Sequence, residues 1–150
     1  MNLIIFLRLL HFVGLGLALG AATTKLALLG KARTDRAVLA GFLAVAPAIT
    51  RLILLGTGLL VVSGIIWLLA GYPLGGLLIA KVILVAIAFV VGGAMARLIE
   101  PRFFQLAPKP ADSISPEFSR VYRQYLAAEG LATGLYYFIV IVWVLRGSFG

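Results

Sequence analysis

Residues 52–70 decide the fold, because they read LILLGTGLLVVSGIIWLLA and include no charged residue over 19 positions. An α-helix rises 1.5 Å per residue, so this segment would extend over roughly 28 Å, close to the thickness of the hydrocarbon core of a bilayer. The helix of a soluble protein would need a charged face, and this segment has none. Residues 52–70 therefore predict a transmembrane helix.

Three further stretches of the chain are long and apolar enough to cross a bilayer. They lie at about 3–29, 77–96 and 125–145. Each must be a helix, because backbone groups cannot remain unpaired in lipid. We therefore expect an all-α membrane protein, a four-transmembrane-helix bundle that forms a single domain over residues 1–150.

The connections between the spans differ in length and charge. Pro47 precedes the second span, so residues 37–49 are expected to form a helical lead-in that the proline kinks or separates. Residues 71–76 predict an uncharged turn. The one long polar connection is 97–123, and Ser115 in front of a proline predicts that a helix begins near its end.

Composition supports a lipid environment and excludes several classes of function. The chain is 63% apolar and 12% charged, and soluble domains carry about twice this charged fraction. Cysteine is absent, which excludes disulfides and thiolate chemistry. One histidine and two methionines do not make a dedicated copper or zinc site, and no phosphate-binding glycine loop is present.

The formal net charge of +8 does not indicate nucleic-acid binding. The distribution of the basic residues instead predicts how the chain is oriented in a membrane. The basic residues gather in 31–36 and 97–123, next to apolar spans, and the connection at 71–76 has none. Basic connections remain in the cytoplasm, so we expect both termini on the outer side of a bacterial inner (cytoplasmic) membrane. Trp67 and Trp143 then fall near the outer interface, which indole rings favour.

Ionisable residues within membrane spans are costly, so each is a candidate for function. His11 and Lys81 are expected in the outer half of the bilayer, whereas Lys25, Arg51 and Glu129 fall in the inner half or at its edge. Glu129 is the one acidic residue within a predicted span, and Arg51 or Lys25 is its expected partner. These three form a predicted polar cluster of structural or functional role.

Each of these residues also has a simpler interpretation. His11 could donate a single hydrogen bond between helices, and the long stem of Lys81 could carry its charge to the headgroups. The pair of Glu129 with Arg51 could be purely structural. These alternatives remain open at the level of the sequence.

Rows of small residues at four-residue spacing predict where helices approach closely. On the first helix, Gly14 and Ala18 widen the surface of small residues formed by one of these rows. The rows are Gly16 and Gly20, Ala88, Gly92 and Ala96, and Gly130 and Gly134.

Several short motifs are distributed over most of the chain. They are Leu10-His11 ahead of Gly20-Ala21, Arg51 at the head of the second span, Ala80-Lys81-Val82-Ile83-Leu84 in the third, Arg123, Tyr125 and Ala128-Glu129 around the fourth, and Leu145-Arg146-Gly147-Ser148-Phe149 at its end. With these motifs the chain resembles HemJ-type protoporphyrinogen oxidase and, more loosely, the CopD-like superfamily of four-helix integral membrane proteins.

The resemblance implies a cofactor and an activity. HemJ-like proteins hold a b-type haem between a histidine of the first helix and a lysine of the third. The resemblance thus implies that His11 and Lys81 ligate the iron of haem b in an oxidoreductase for porphyrinogen oxidation or electron transfer. A lysine ligates iron only when its amine is neutral. No catalytic residue is assigned.

The alternative hypothesis is a non-catalytic accessory subunit or assembly factor of a larger membrane complex. The chain has many glycines and no large outer loop is predicted, and both features suit this role. In either case the expected partners are the lipid bilayer and either further copies of the chain, as a homo-oligomer, or a larger membrane complex. No nucleic acid is expected.

Overall fold

The computed structural model is all-helical over the residues that it describes, which are 2–71, 75–109 and 112–148, without the side chains of 77 and 145–148. Four helical runs have the length and apolar composition of membrane spans, as expected. Residues 72–74 of the predicted turn lie outside the described residues. The elements are α1 (Leu3–Ala32), α2 (Arg36–Leu69), α3 (Gly76–Ala94), a π-helical segment (Met95–Ile99), α4 (Glu100–Gln105) and α5 (Pro116–Ser148).

Polar residues mark where the long helices begin. The Asn2 side chain accepts a hydrogen bond from the backbone of α1, and Asp35 accepts two from the first turn of α2. Ser115 Oγ accepts from the backbone N–H of Phe118 at 3.1 Å, which confirms the predicted start of α5. These side chains satisfy backbone donors that have no partner within the helix.

The second helix is longer and more regular than the sequence indicates. It runs without a break from Arg36 to Leu69, with Pro47 inside it. Residues 37–49 are therefore helical as expected, and the alternative that Pro47 separates them from the span was wrong. Proline removes one backbone donor, yet α2 stays helical across this position and packs along α1. The helix ends where Gly71 adopts a φ of +86°, which glycine tolerates without strain.

The third span does not end near Ala96 as expected. The chain stays helical through the π-helical segment, where the backbone N–H of Glu100 bonds to Met95 O. Pro101 then falls in the first turn of α4, a position at which proline is tolerated. The predicted polar connection 97–123 is thus helical at both ends.

The main core lies where the 97–123 segment meets the first two helices. Phe103 is fully buried there, against Phe42 of α2 and Phe118, Tyr122 and Tyr125 of α5. Tyr122 also donates a hydrogen bond to the Leu29 carbonyl of α1. A segment predicted to be a polar connection therefore supplies aromatic side chains to the core.

Helices α1 and α2 form an antiparallel pair, and α5 packs against both α1 and α3. The closest approach in the α1–α2 pair uses Gly14, Ala18 and Gly56. The predicted contact row is different, because a Cβ added at Gly16 or Gly20 would have nothing within 4 Å.

Substitution of Gly56 by alanine should weaken the α1–α2 pair. The new Cβ would lie 2.5 Å from Ala18 N and 2.7 Å from Gly14 O, and backbone atoms cannot move away as a side chain can. We expect the free energy of unfolding in detergent to fall by about 1–3 kcal/mol.

The control for this substitution is Gly58→Ala on the same helix, where an added Cβ meets nothing within 4 Å. Denaturant titration followed by circular dichroism measures both variants. Equal stability of the Gly56 and Gly58 variants would show that the helices are not in contact at this point.

Candidate functional sites at the two ends of the bundle

The α1–α2 pair places polar side chains at both of its ends. His11 faces Ser63 near one end, and Lys25 faces Thr50 near the other. His11 and Lys25 are 14 residues apart, about four helical turns, so they share one face of α1. The bundle thus has two polar layers with the close approach of Gly14 and Gly56 between them.

The first layer is the Lys25 cluster, which consists of Lys25, Thr50, Glu100, Tyr125 and Glu129. Lys25 Nζ donates to Thr50 Oγ1 at 2.9 Å and to Glu100 Oε1 at 3.4 Å, and it forms an ion pair with Glu129. Lys25 and Glu129 are 1% and 2% exposed. One ammonium group therefore connects α1, α2, α4 and α5.

Glu100 has the fuller set of hydrogen bonds of the two carboxyl groups. Its Oε1 accepts from Lys25, from Thr50 Oγ1 at 3.1 Å and from the Tyr125 hydroxyl at 3.2 Å. The Lys25 ammonium also lies 5.1 Å from the centre of the Tyr125 ring. Several donors aimed at one oxygen are the environment of a charged carboxylate.

Glu129 is in contact with Lys25 and Tyr125, and a second polar group beside it has no described partner. Glu129 Oε1 is in contact with the Lys25 ammonium, whereas Thr133 Oγ1 is buried without a hydrogen bond to any described residue. Thr133 follows Glu129 by one helical turn and is 3% exposed. Buried polar groups without partners are uncommon and call for an explanation.

The sequence predicts some members of the Lys25 cluster and not others. Lys25 and Glu129 lie together, whereas the side chain of Arg51 is exposed and outside the cluster. Glu100 lies beyond the predicted end of the third span, so the sequence does not predict its place in the cluster. The apolar residues Leu98, Ile99 and Phe103 continue the span on either side of Glu100 and could have indicated this.

The second layer is the His11 site, which consists of His11, Ser63, Trp67, Lys81 and Trp143. His11 Nδ1 and Ser63 Oγ are 2.8 Å apart. The Ser63 hydroxyl donates its own hydrogen to the Leu59 carbonyl at 2.7 Å, so it accepts from His11 and Nδ1 carries the hydrogen. In a neutral imidazole this leaves Nε2 with a free lone pair.

Two tryptophans accompany the two basic groups of the His11 site. The His11 ring stacks on Trp67 with 5.4 Å between ring centres, and Lys81 Nζ lies 4.4 Å from the Trp143 ring centre. The charge of Lys81 acts on the His11 imidazole. The structure therefore places His11 of α1 and Lys81 of α3 at the same end of the bundle, within electrostatic reach of each other.

The described residues contain no group of three or more His, Cys, Asp or Glu side chains that could hold a metal ion. Haem does not need such a group, because the porphyrin itself supplies four nitrogen ligands and the protein adds one or two axial ones. The free Nε2 of His11 and the amine of Lys81 are chemically suited to that task.

Comparisons of the chain with protein-family models, with curated proteins and with solved structures find no match. The class of protein is given by the structure itself, an all-helical chain over its described residues with four helices fit to span a membrane. This is the architecture of an integral membrane protein, with lipid against its apolar faces.

Proposed function

We propose that this integral membrane protein binds haem b through His11 and Lys81. The observation that carries the proposal is the hydrogen bond from His11 Nδ1 to Ser63, which leaves Nε2 as a free nitrogen donor near Lys81. Metal-binding histidines almost always donate their other ring N–H in this way. Haem would supply one-electron redox chemistry at this end of the bundle.

The neighbouring residues of the chain have distinct tasks in this proposal. Ser63 fixes the orientation and tautomer of the His11 ring. Trp67 and Trp143 add aromatic surface beside the two basic groups, and flat ligands pack well on such surfaces. Lys81 must lose its proton before its amine can bind iron.

The resemblance to HemJ-type proteins supports the finer part of the proposal. It favours an oxidoreductase that oxidises porphyrinogen or transfers electrons, in a bacterial inner membrane with both termini outside. The His11 site would then lie in the outer half of the bilayer and the Lys25 cluster in the inner half.

A visible absorption spectrum tests haem binding directly. The protein, expressed with an ample supply of haem and purified in mild detergent, should show a Soret band that His11→Ala abolishes. Lys81→Met should shift or weaken the band. Loss of the orienting hydroxyl in Ser63→Ala should lower haem affinity by about 10-fold or more.

The exposed lysine at position 31 gives a matched control for Lys81, and Lys31→Met should leave the spectrum unchanged. A colourless wild-type protein would refute the proposal. If it also co-purified reproducibly with a larger membrane complex, the accessory-subunit interpretation would replace it.

A further inference from the structure

The Lys25 cluster contains more acidic than basic groups. Within the described part of the chain, α1 contributes Lys25, α2 the uncharged Thr50, α4 Glu100, and α5 Tyr125 and Glu129. Two ionised carboxylates beside one ammonium would leave a net charge of −1. Because water is excluded here, an uncompensated charge is strongly unfavourable.

No other cation compensates this charge in the described structure. Arg51 follows Thr50 directly in the chain, but its side chain is exposed. Arg97 precedes Glu100 by three residues and is exposed as well. The cluster therefore requires one additional positive charge from outside the chain.

The hydrogen bonds indicate where this charge would bind. Glu100 Oε1 already has three donors, and an added proton would compete with them. Glu129 contacts Lys25 and lies within hydrogen-bond reach of the Tyr125 hydroxyl, which already donates to Glu100. The buried Thr133 hydroxyl one turn away has no described partner. A protonated Glu129 would have an O–H to donate, and Thr133 could accept it.

We propose that the Lys25 cluster is a proton-binding site inside the membrane-spanning region, with the exchangeable proton held on the carboxyl group of Glu129. Uptake converts the Glu129 carboxylate to the acid and brings the cluster to zero net charge, and release restores the charge of −1. No oxidant or co-reactant is needed. Ionisable residues of this kind mark proton relays in membrane proteins, and the proposal does not depend on haem binding.

Infrared spectroscopy of the purified protein in detergent detects such a proton. At neutral pH the wild type should show the C=O stretching band of a buried protonated carboxyl group, shifted in D₂O and lost in alkaline buffer. Glu129→Gln should abolish it. Glu117→Gln is the matched control, because Glu117 is an exposed partner of Arg102, and it should leave the band intact.

Two further variants test the charge balance itself. Glu100→Gln leaves one carboxylate and one ammonium, so the neutral-pH band should disappear although Glu129 is still present. Lys25→Met leaves two carboxyl groups and no ammonium, so the band should grow about two-fold. A Glu129 protonated merely by burial would keep its band in Glu100→Gln, and that result would overturn the proposal.

The wild-type protein gives a decisive result even if a variant fails to fold. Absence of the band at neutral pH would overturn the proposal. So would a band present in potassium buffer and removed by sodium, because the site would then hold a metal cation. Persistence of the band in folded Glu129→Gln would place the proton elsewhere and also contradict the assignment.

Discussion

Replacement of Lys25 by methionine is expected to lower the free energy of unfolding by about 3–5 kcal/mol, the cost of breaking a buried ion pair. Lys25 is the one ammonium in contact with Glu100 and Glu129 among the described residues. Its removal leaves two buried carboxyl groups without a counter-charge. The loss should be smaller in acidic buffer, because the proton uptake that neutralises the two carboxyl groups costs less free energy at low pH.

Denaturant titration in mixed micelles, followed by circular dichroism, measures the effect of Lys25→Met. The control is Lys31→Met on the same helix, where the side chain is exposed and the loss should be within about 0.5 kcal/mol. Adding Glu129→Gln to Lys25→Met should restore part of the stability. A Lys25 variant as stable as the Lys31 variant would mean that the ion pairs contribute nothing.

Truncation of Phe103 to alanine should be comparably severe, with an expected loss of about 3–5 kcal/mol. Phe103 is 0% exposed and its ring lies 4.6 Å from that of Tyr125, centre to centre. Removing it opens a cavity at the point where α2, α4 and α5 meet. Tyr125, which donates to Glu100, would also lose its support.

A suitable control is Phe138→Ala on α5, because that side chain is 52% exposed and would face lipid. Thermal unfolding in the same detergent should separate the two variants clearly. If Phe103→Ala unfolded together with Phe138→Ala, the aromatic core around the 97–123 segment would not exist as described.

The four spans could be predicted because lipid imposes a simple rule on composition. A run such as 52–70 has to be helical and has to cross the bilayer, whatever its neighbours are. The continuous α2 and the π-helical segment could not be predicted in this way. Pro47 and Pro101 predict interruptions locally, and only packing against other helices determines whether the helix continues.

The division of the polar residues into two layers could be predicted from their positions along the spans. The residues that make up each layer could be predicted only in part. The cost of burying charge singled out Lys25 and Glu129, and the structure pairs them. The Arg51 side chain is exposed, and a long side chain can carry its charge away from the core. The position of Arg51 in the sequence therefore does not determine its partner. The place of Glu100 in the Lys25 cluster could not be predicted without knowing where the third span ends.

The rows of small residues show that spacing alone does not determine which face of a helix makes the close contact. Gly16 and Gly20 satisfy the four-residue pattern, yet the close contact uses Gly14 and Gly56. Which face of a helix turns toward its neighbour depends on the whole set of buried residues. In α1 the buried residues include Leu7, Ala18, Lys25 and Leu29, and these lie on the same face as Gly14.

If four helices cross the bilayer, the α1–α2 connection and the 97–123 segment lie at the same membrane surface. The chain has no cysteine, so single thiols at Arg33, Gly75 and Ser113 can be labelled from one side of sealed vesicles with an impermeant maleimide. Arg33→Cys and Ser113→Cys should react from the same side, and Gly75→Cys from the opposite one. Reaction of Arg33→Cys and Ser113→Cys from opposite sides would contradict the bundle and the Lys25 cluster together.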